Sequence, residues 1–156
     1  MIIKSTQSNV HRRKIMIQKN IFKLHPRVQV LANLLMIEAR YEGLDPIKIT
    51  NTVITQKEQK EEYPYNSHNW GVAFDIIRDI PYKEYNNRDN WFDKVGRIGK
   101  KLGLSWGGDY PYQGGKTHFE YKGFGTWEEL MKIYKVPEAF FATWRVEQTT
   151  NLNESE

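Results

Sequence analysis

The stretch that decides the fold is Asn66-Ser67-His68-Asn69-Trp70-Gly71-Val72-Ala73-Phe74-Asp75-Ile76. It places a histidine on an expected loop and, seven residues later, an aspartate inside an alternating run that is typical of a β-strand. Gly71 can turn the chain between the two side chains. His68 and Asp75 are therefore candidate ligands of one cation.

A third candidate ligand is His118, in Thr117-His118-Phe119-Glu120-Tyr121. Two neutral imidazoles and a carboxylate, with water in the fourth position, suit zinc in its open, catalytic form. Zinc there would lower the pKa of that water to about 7 and produce a nucleophile for an amide carbonyl. The pattern indicates hydrolysis, although the same three side chains could form a hydrogen-bonded set in the core without a metal.

Composition limits the class of protein. A chain of 156 residues with 39% hydrophobic residues predicts one folded domain that can bury its own core. The absence of cysteine excludes thiol catalysis, disulfides and thiolate metal sites. No apolar run is long enough to span a membrane, and the amino terminus lacks the pattern of a secretory signal, which predicts synthesis in the cytoplasm.

Charge is unevenly distributed along the chain. Between Met1 and Ile37 there are seven lysines and arginines and no acidic residue. Such a segment favours an anionic partner, namely nucleic acid, a membrane surface or the phosphate-rich polymers of a cell wall, or it is a solvated arm. The hypothesis of a nucleic-acid partner rests on charge alone and is not favoured. We divide the chain into a basic arm at 1–23, a domain at 24–147 and a polar, disordered tail at 148–156.

Hydrophobic spacing predicts two helices, Pro26 to Glu42 and Trp91 to Leu102, each followed by glycine, and a third that opens at the capping box Thr126 to Glu129. Alternation predicts strands over 47–53, 71–77 and 118–121. The expected fold class is α+β, with a small, mostly antiparallel sheet packed with two or three helices.

Several motifs together resemble one family. They are Leu24-His25-Pro26 at a helix start, Ser67 to Asp75, Trp91-Phe92-Asp93-Lys94-Val95-Gly96 through Leu104-Ser105-Trp106-Gly107-Gly108-Asp109, and His118-Phe119-Glu120. In combination they resemble the zinc peptidases that include D-alanyl-D-alanine dipeptidases and carboxypeptidases and the L-alanyl-D-glutamate endopeptidases of phage endolysins. The endopeptidase branch is the more similar, and the resemblance covers most of the chain.

The resemblance implies a hedgehog and D-Ala-D-Ala peptidase-like fold and one zinc ion bound by His68, Asp75 and His118. It implies the stem peptide of peptidoglycan as substrate, with anionic wall polymer as a possible further partner. The protein would act at the cell wall after release, or as part of a bacteriophage or prophage product such as an endolysin.

Two positions depart from the family pattern. Gly115 stands where the family has the carboxylate that acts as general base, and Ile54 stands where an arginine is expected. Glu120 and Asp109 are the candidate replacements for the base; Glu120 could instead orient a ligand, and Asp109 could simply end a turn. Ser67, Trp70, Trp106 and Tyr110 are candidate substrate-binding residues, with plain packing as the alternative for the aromatic ones.

Two functions follow from these observations. The first is a zinc-dependent peptidase that hydrolyses an amide bond of the L-alanyl-D-glutamate type. The second, favoured by the loss of two catalytic positions, is a catalytically silent zinc domain that binds wall peptide or a phage structural partner.

Overall fold

The computed structural model describes residues 21–44, 46–55, 66–110 and 115–153. In these residues there are four α-helices and four β-strands. The helices are α1 (Pro26–Tyr41), α2 (Trp91–Lys101), α3 (Trp127–Tyr134) and α4 (Pro137–Asn153). The strands are β1 (Ile47–Asn51), β2 (Ala73–Arg78), β3 (Ser105–Trp106) and β4 (His118–Glu120). The α+β prediction is confirmed, with one helix more than the two or three expected.

The four strands form one antiparallel sheet in the order β1-β2-β4-β3. Asp75 pairs with His118 and Ala73 pairs with Glu120 across β2 and β4. Residues that pair directly point to the same face, and successive residues alternate between faces. Asp75, His118 and Glu120 therefore share one face of the sheet, and the intervening Phe119 points to the other.

Helix α2 covers the opposite, apolar face at short range, and two glycines permit this approach. A Cβ atom added at Gly96 would lie 2.4 Å from Cδ2 of Trp106, and one at Gly99 would lie 2.4 Å from Cε1 of Phe119. Both aromatic residues are buried, so the glycines provide the space that their rings fill. This packing fixes the sheet on one side and leaves its polar face for the site.

Helix α1 begins as its sequence predicts. His25 is the N-cap, and its Nδ1 accepts a hydrogen bond from the backbone N–H of Arg27 at 3.1 Å. The backbone N–H of His25 donates to the carbonyl of Gly71 at 2.9 Å. The start of the helix is thereby tied to the turn that carries His68.

Helix α4 was not predicted. Proline opens it at Pro137, and buried Phe140, Phe141 and Trp144 follow at helical spacing, which is a signal that the sequence does carry. The helix continues through residues 148–153, which were predicted as a disordered polar tail, because it propagates from the docked aromatic segment. Residues 154–156 lie outside the described residues.

Of the predicted basic arm at 1–23, residues 1–20 lie outside the described residues. Ile21 is already part of the hydrophobic core, so the folded unit includes residues before position 24. Among the helices in the described part of the chain, none is both long and apolar enough to span a membrane.

Candidate metal centre

A short 3₁₀-helix, Ser67–Trp70, positions His68. Asn66 caps it by accepting a hydrogen bond from the backbone N–H of His68 at 2.9 Å, and the side chain of Asn69 accepts one from the backbone N–H of Asn66 at 2.7 Å. The turn ends at Gly71, whose φ of 70° is in the left-handed region that favours glycine. The chain then enters β2, which carries Asp75.

The three candidate ligands converge on one point. Oδ1 of Asp75 lies 3.4 Å from Nε2 of His68 and 3.1 Å from Nδ1 of His118. One donor atom from each of the three residues lies within 4.8 Å of the others. A tetrahedral zinc ion with bonds of 2.0–2.2 Å keeps its ligand atoms about 3.4 Å apart, so these separations suit zinc.

The hydrogen bonding of His68 supports a cation at this point. Nδ1 of His68 lies 2.8 Å from the carbonyl oxygen of Thr52, which can only accept, so Nδ1 carries the hydrogen. In the neutral ring, Nε2 is then a bare acceptor that faces the carboxylate of Asp75. Two acceptors at 3.4 Å repel each other unless a proton or a metal ion lies between them. The donor set therefore fits zinc, with Thr52 fixing the ring as ligand-supporting carbonyls commonly do.

The pKa values of these groups reflect the same arrangement. Burial lowers the pKa of His68, but the hydrogen bond to Asp75, its negative charge, the Thr52 carbonyl and the charge of Glu120 together raise it above its ordinary value. Burial raises the pKa of Asp75, but hydrogen bonding with His118 and with the protonated ring of His68, the charge of that ring and the hydrogen bond from Asn51 hold it well below its usual range. The cluster thus holds a negative charge on Asp75 and attracts positive charge.

Asn51 orients the carboxylate. Its Nδ2 donates to Oδ2 of Asp75 at 2.9 Å, which leaves Oδ1 directed at the two histidines. The contact depends on an irregularity in β1, where the register shifts between Ile49 and Asn51 and Asn51 comes opposite Asp75. A sequence reading could not find Asn51, because a strand bulge leaves no residue signature here.

The ligand candidates lie in a pocket of about 390 Å³. The rest of its lining consists of Asn66, Ser67, Glu120, Lys122, Thr126, Trp127 and Glu128. Glu120 is 9% exposed, on the same face as His118, with Oε1 3.6 Å from Nζ of Lys122. The pocket therefore places a buried carboxylate beside a cluster that could hold a metal ion, and such an arrangement could activate water.

Comparison with known proteins agrees with this chemistry. Residues 60–121 match the sequence profile of a family described as D-alanyl-D-alanine carboxypeptidase. The peptidoglycan L-alanyl-D-glutamate endopeptidase CwlK of Bacillus subtilis (strain 168) is 31% identical, over 62% of this chain and 72% of CwlK. The chain belongs to the D-alanyl-D-alanine carboxypeptidase family of zinc peptidases. Within this family it falls in the L-alanyl-D-glutamate endopeptidase branch.

A solved structure shows the same fold. The crystal structure of the L-Ala D-Glu endopeptidase ChiX of Serratia marcescens superposes on this peptidase with a TM-score of 0.54. The match covers 67% of this chain and 85% of ChiX at 16% identity. The family resemblance and the fold expected from the sequence are confirmed.

The predicted site residues of the peptidase divide into two groups. Ser67 and Glu120 line the pocket with the three ligand candidates. Asp109 does not line it, and its carboxylate instead pairs with Nζ of Lys100 at 3.1 Å. Trp70 is fully buried and packs near Phe140.

The two remaining predicted residues, Trp106 and Tyr110, do not line the pocket. Trp106 is buried against α2, with its Nε1 donating to the carbonyl of Lys116. Tyr110 is 44% exposed, and its ring centre lies 5.1 Å from Nζ of Lys122, a pocket residue. At the two positions that depart from the family pattern, Ile54 accepts a hydrogen bond from Asn69 through its carbonyl, and Gly115 opens a 3₁₀-helix with φ +68°.

Proposed function

We propose that this peptidase binds one zinc ion through His68, Asp75 and His118 and hydrolyses an amide bond of the L-alanyl-D-glutamate type in the stem peptide of peptidoglycan. The observation that carries the proposal is the convergence of these three donors beside a buried carboxylate, Glu120, in an open pocket. CwlK and ChiX are both L-alanyl-D-glutamate endopeptidases, which supports the choice of substrate.

Zinc bound at this cluster would supply a Lewis acid that polarises the scissile carbonyl and lowers the pKa of water to about 7. Other groups of the protein hold the ligand side chains in position. Thr52 holds the His68 ring through Nδ1, and Asn51 holds the Asp75 carboxylate through Oδ2. Both ligands therefore keep their orientation without help from the substrate.

Glu120 takes the role of general base in this proposal, because Gly115 cannot. Its carboxylate lines the pocket on the His118 face, and its negative charge reaches His68. A carboxylate Oε atom here would accept the proton of the attacking water and return it to the leaving amine. Such acid–base assistance is worth roughly 10²–10⁴ in rate, which makes Glu120 the difference between a slow and an efficient hydrolase.

The substrate-binding surface is narrower in this proposal than the sequence suggested. Ser67 lines the pocket and Tyr110 contacts it through Lys122, so both stay as substrate-side residues. Burial of Trp70 and Trp106 supports packing as their role. The pairing of Asp109 with Lys100 supports a turn-ending role for that carboxylate.

The experiment that tests the proposal is digestion of purified cell walls. Zinc-loaded protein should reduce turbidity and release new free amines, and removal of the zinc with a chelator or the substitution His68→Ala should abolish both effects. Mass spectrometry of the fragments identifies the cleaved bond. Walls that lose turbidity without gaining amines would contradict the proposal.

A second function is favoured by the two departures from the family pattern, Gly115 and Ile54. In this alternative the protein is a silent zinc domain that binds wall peptide or a phage structural partner. It would retain zinc-dependent binding to walls and release no amines over long incubation. The same digestion assay therefore separates the two functions.

As part of the main proposal, the protein reaches the wall after release from the cytoplasm, as a phage or prophage endolysin does. The basic segment between Met1 and Ile37, with seven lysines and arginines, would be attracted to anionic wall polymer. Removal of residues 1–20 should then weaken wall binding most at low salt, because salt screens such attraction.

A further inference from the structure

The pocket contains one unassigned cationic side chain. Among the described residues that line it, Lys122 is the only lysine or arginine. Its side chain is 34% exposed, with Nζ 3.6 Å from Oε1 of Glu120 and 5.1 Å from the ring centre of Tyr110. The ammonium group therefore lies at the border between the buried carboxylate and solvent.

The backbone holds Lys122 on the side of the sheet that carries the ligands. The backbone N–H of Tyr121 donates to the carbonyl of Val72 at 2.8 Å, so strand-like pairing continues one residue past β4. Alternation then puts Lys122 on the same face as His118 and Glu120. The chain turns immediately afterwards at Gly123, where an added Cβ would lie 2.1 Å from the hydroxyl oxygen of Tyr121.

The charges of the pocket favour a function for this ammonium group. The lining includes three carboxylates, on Asp75, Glu120 and Glu128, so a negatively charged substrate meets repulsion there. An ammonium group has three N–H donors. The single 3.6 Å contact with Glu120 leaves other N–H groups of Lys122 able to donate to an anionic substrate.

We infer that Lys122 binds a carboxylate of the substrate close to the scissile bond, and that the pocket therefore selects peptides with a free carboxylate over amidated ones. The position of the scissile bond rests on the proposed function. The carboxylate is either the α-carboxylate of a γ-linked D-glutamate or the C-terminus of a short peptide. Both have the same chemistry, and amidation of each in turn distinguishes them.

The test uses the full zinc-loaded chain and a synthetic L-Ala-γ-D-Glu-L-Lys peptide with the D-glutamate α-carboxylate free or amidated and the C-terminus free or amidated. Calorimetry measures binding, and amine release measures turnover. The wild-type protein should bind the peptide with the relevant free carboxylate at least about tenfold more tightly than its amide. Lys122→Met should reduce that ratio to about threefold or less, while Lys122→Arg should preserve most of it.

Two results would overturn the inference. One is a wild-type protein that binds the acid and amide forms equally. The other is a Lys122→Met variant that weakens acid and amide alike, which would mean that Lys122 acts only through Glu120. Lys122→Gln serves as a second neutral variant, and thermal unfolding of each variant verifies that it is folded.

Measuring both binding and turnover separates a failure of the carboxylate site from a failure of the hydrolytic function. If no peptide is cleaved but the acid preference persists and depends on Lys122, the hydrolytic function fails and the carboxylate site stands. If peptides are cleaved but the preference for the free carboxylate does not depend on Lys122, the carboxylate site fails and hydrolysis stands.

Discussion

Nε2 of His68 and Oδ1 of Asp75 lie 3.4 Å apart, with the other ring nitrogen of His68 already bonded to the carbonyl of Thr52. Both atoms are hydrogen-bond acceptors, so they repel each other unless a cation lies between them. Nδ1 of His118 lies 3.1 Å from the same carboxylate oxygen, so both imidazoles and the carboxylate meet at one point that favours positive charge.

We expect purified protein to contain one zinc ion per chain and His68→Ala to contain essentially none, because two of the three donors cannot hold the ion alone. Elemental analysis after extensive dialysis measures this ratio. His25→Asn is the matched control, since His25 caps α1 outside the cluster and asparagine keeps a capping side chain. A His68→Ala protein that retains stoichiometric zinc would contradict the assigned ligand set.

Asn51→Ala should weaken zinc binding by about 10–100-fold, because the substitution removes the hydrogen bond that orients the Asp75 carboxylate. Competition with a fluorescent zinc chelator measures the affinity. Asn33→Ala removes an exposed asparagine from α1 and should leave the affinity unchanged. Equal affinities for the two variants would show that Asn51 has no orienting role.

Much of this site could be predicted from the sequence, because local patterns encode it. The capping box at Thr126, the helix start at Pro26 and the alternation around Asp75 and His118 are short-range signals, and the structure has each of them. Residue type and spacing gave the three candidate ligands, and the resemblance to the family then implied that they bind one zinc ion.

The parts that could not be predicted depend on contacts between distant segments. Asn51 reaches Asp75 through a strand bulge, and Thr52 contacts His68 from 16 residues away. Trp70 and Trp106 were candidates for a substrate groove with packing as the alternative, and only the packing of other elements around them decides between the two. A polar tail also looked disordered, because its own residues do not show that α4 would extend into it.

Glu120→Gln should lower the turnover number by about 10²–10⁴ while zinc content stays the same, because the amide cannot accept the proton of the attacking water. Amine release from wall peptide measures the rate, and elemental analysis measures the metal. Asp109→Asn is the control carboxylate, since Asp109 pairs with Lys100 outside the pocket lining, and its effect should stay within about threefold. A larger loss of turnover in Asp109→Asn than in Glu120→Gln would indicate that Asp109, and not Glu120, is the general base.

Gly99→Ala should destabilise the fold by about 1–3 kcal/mol, because the added Cβ would lie 2.4 Å from Cε1 of buried Phe119. Chemical denaturation measures the free energy of unfolding. Adding Phe119→Leu to Gly99→Ala should cost less than the sum of the two single substitutions, because the smaller side chain relieves the overlap. Strict additivity would show that the helix shifts away from the sheet at little cost.

The stability of the fold should depend on pH through His25. Its ring packs against Phe124, with ring centres 4.4 Å apart, and burial lowers its pKa below the ordinary value of 6.5. As the pH falls, His25 therefore binds a proton in the unfolded chain before it does so in the folded chain. The contribution of neutral, packed His25 to stability is present above about pH 6.5 and is lost as the pH falls below that value. Thermal unfolding between about pH 7.5 and about pH 5.5 should show a steeper loss of stability in the wild type than in His25→Asn, which has no group to titrate there. His68 has a raised pKa and contributes in the opposite sense in zinc-free protein, but it is present in both chains and cancels in the comparison. Parallel pH profiles for the two proteins would show that the His25 ring titrates as freely in the fold as in water.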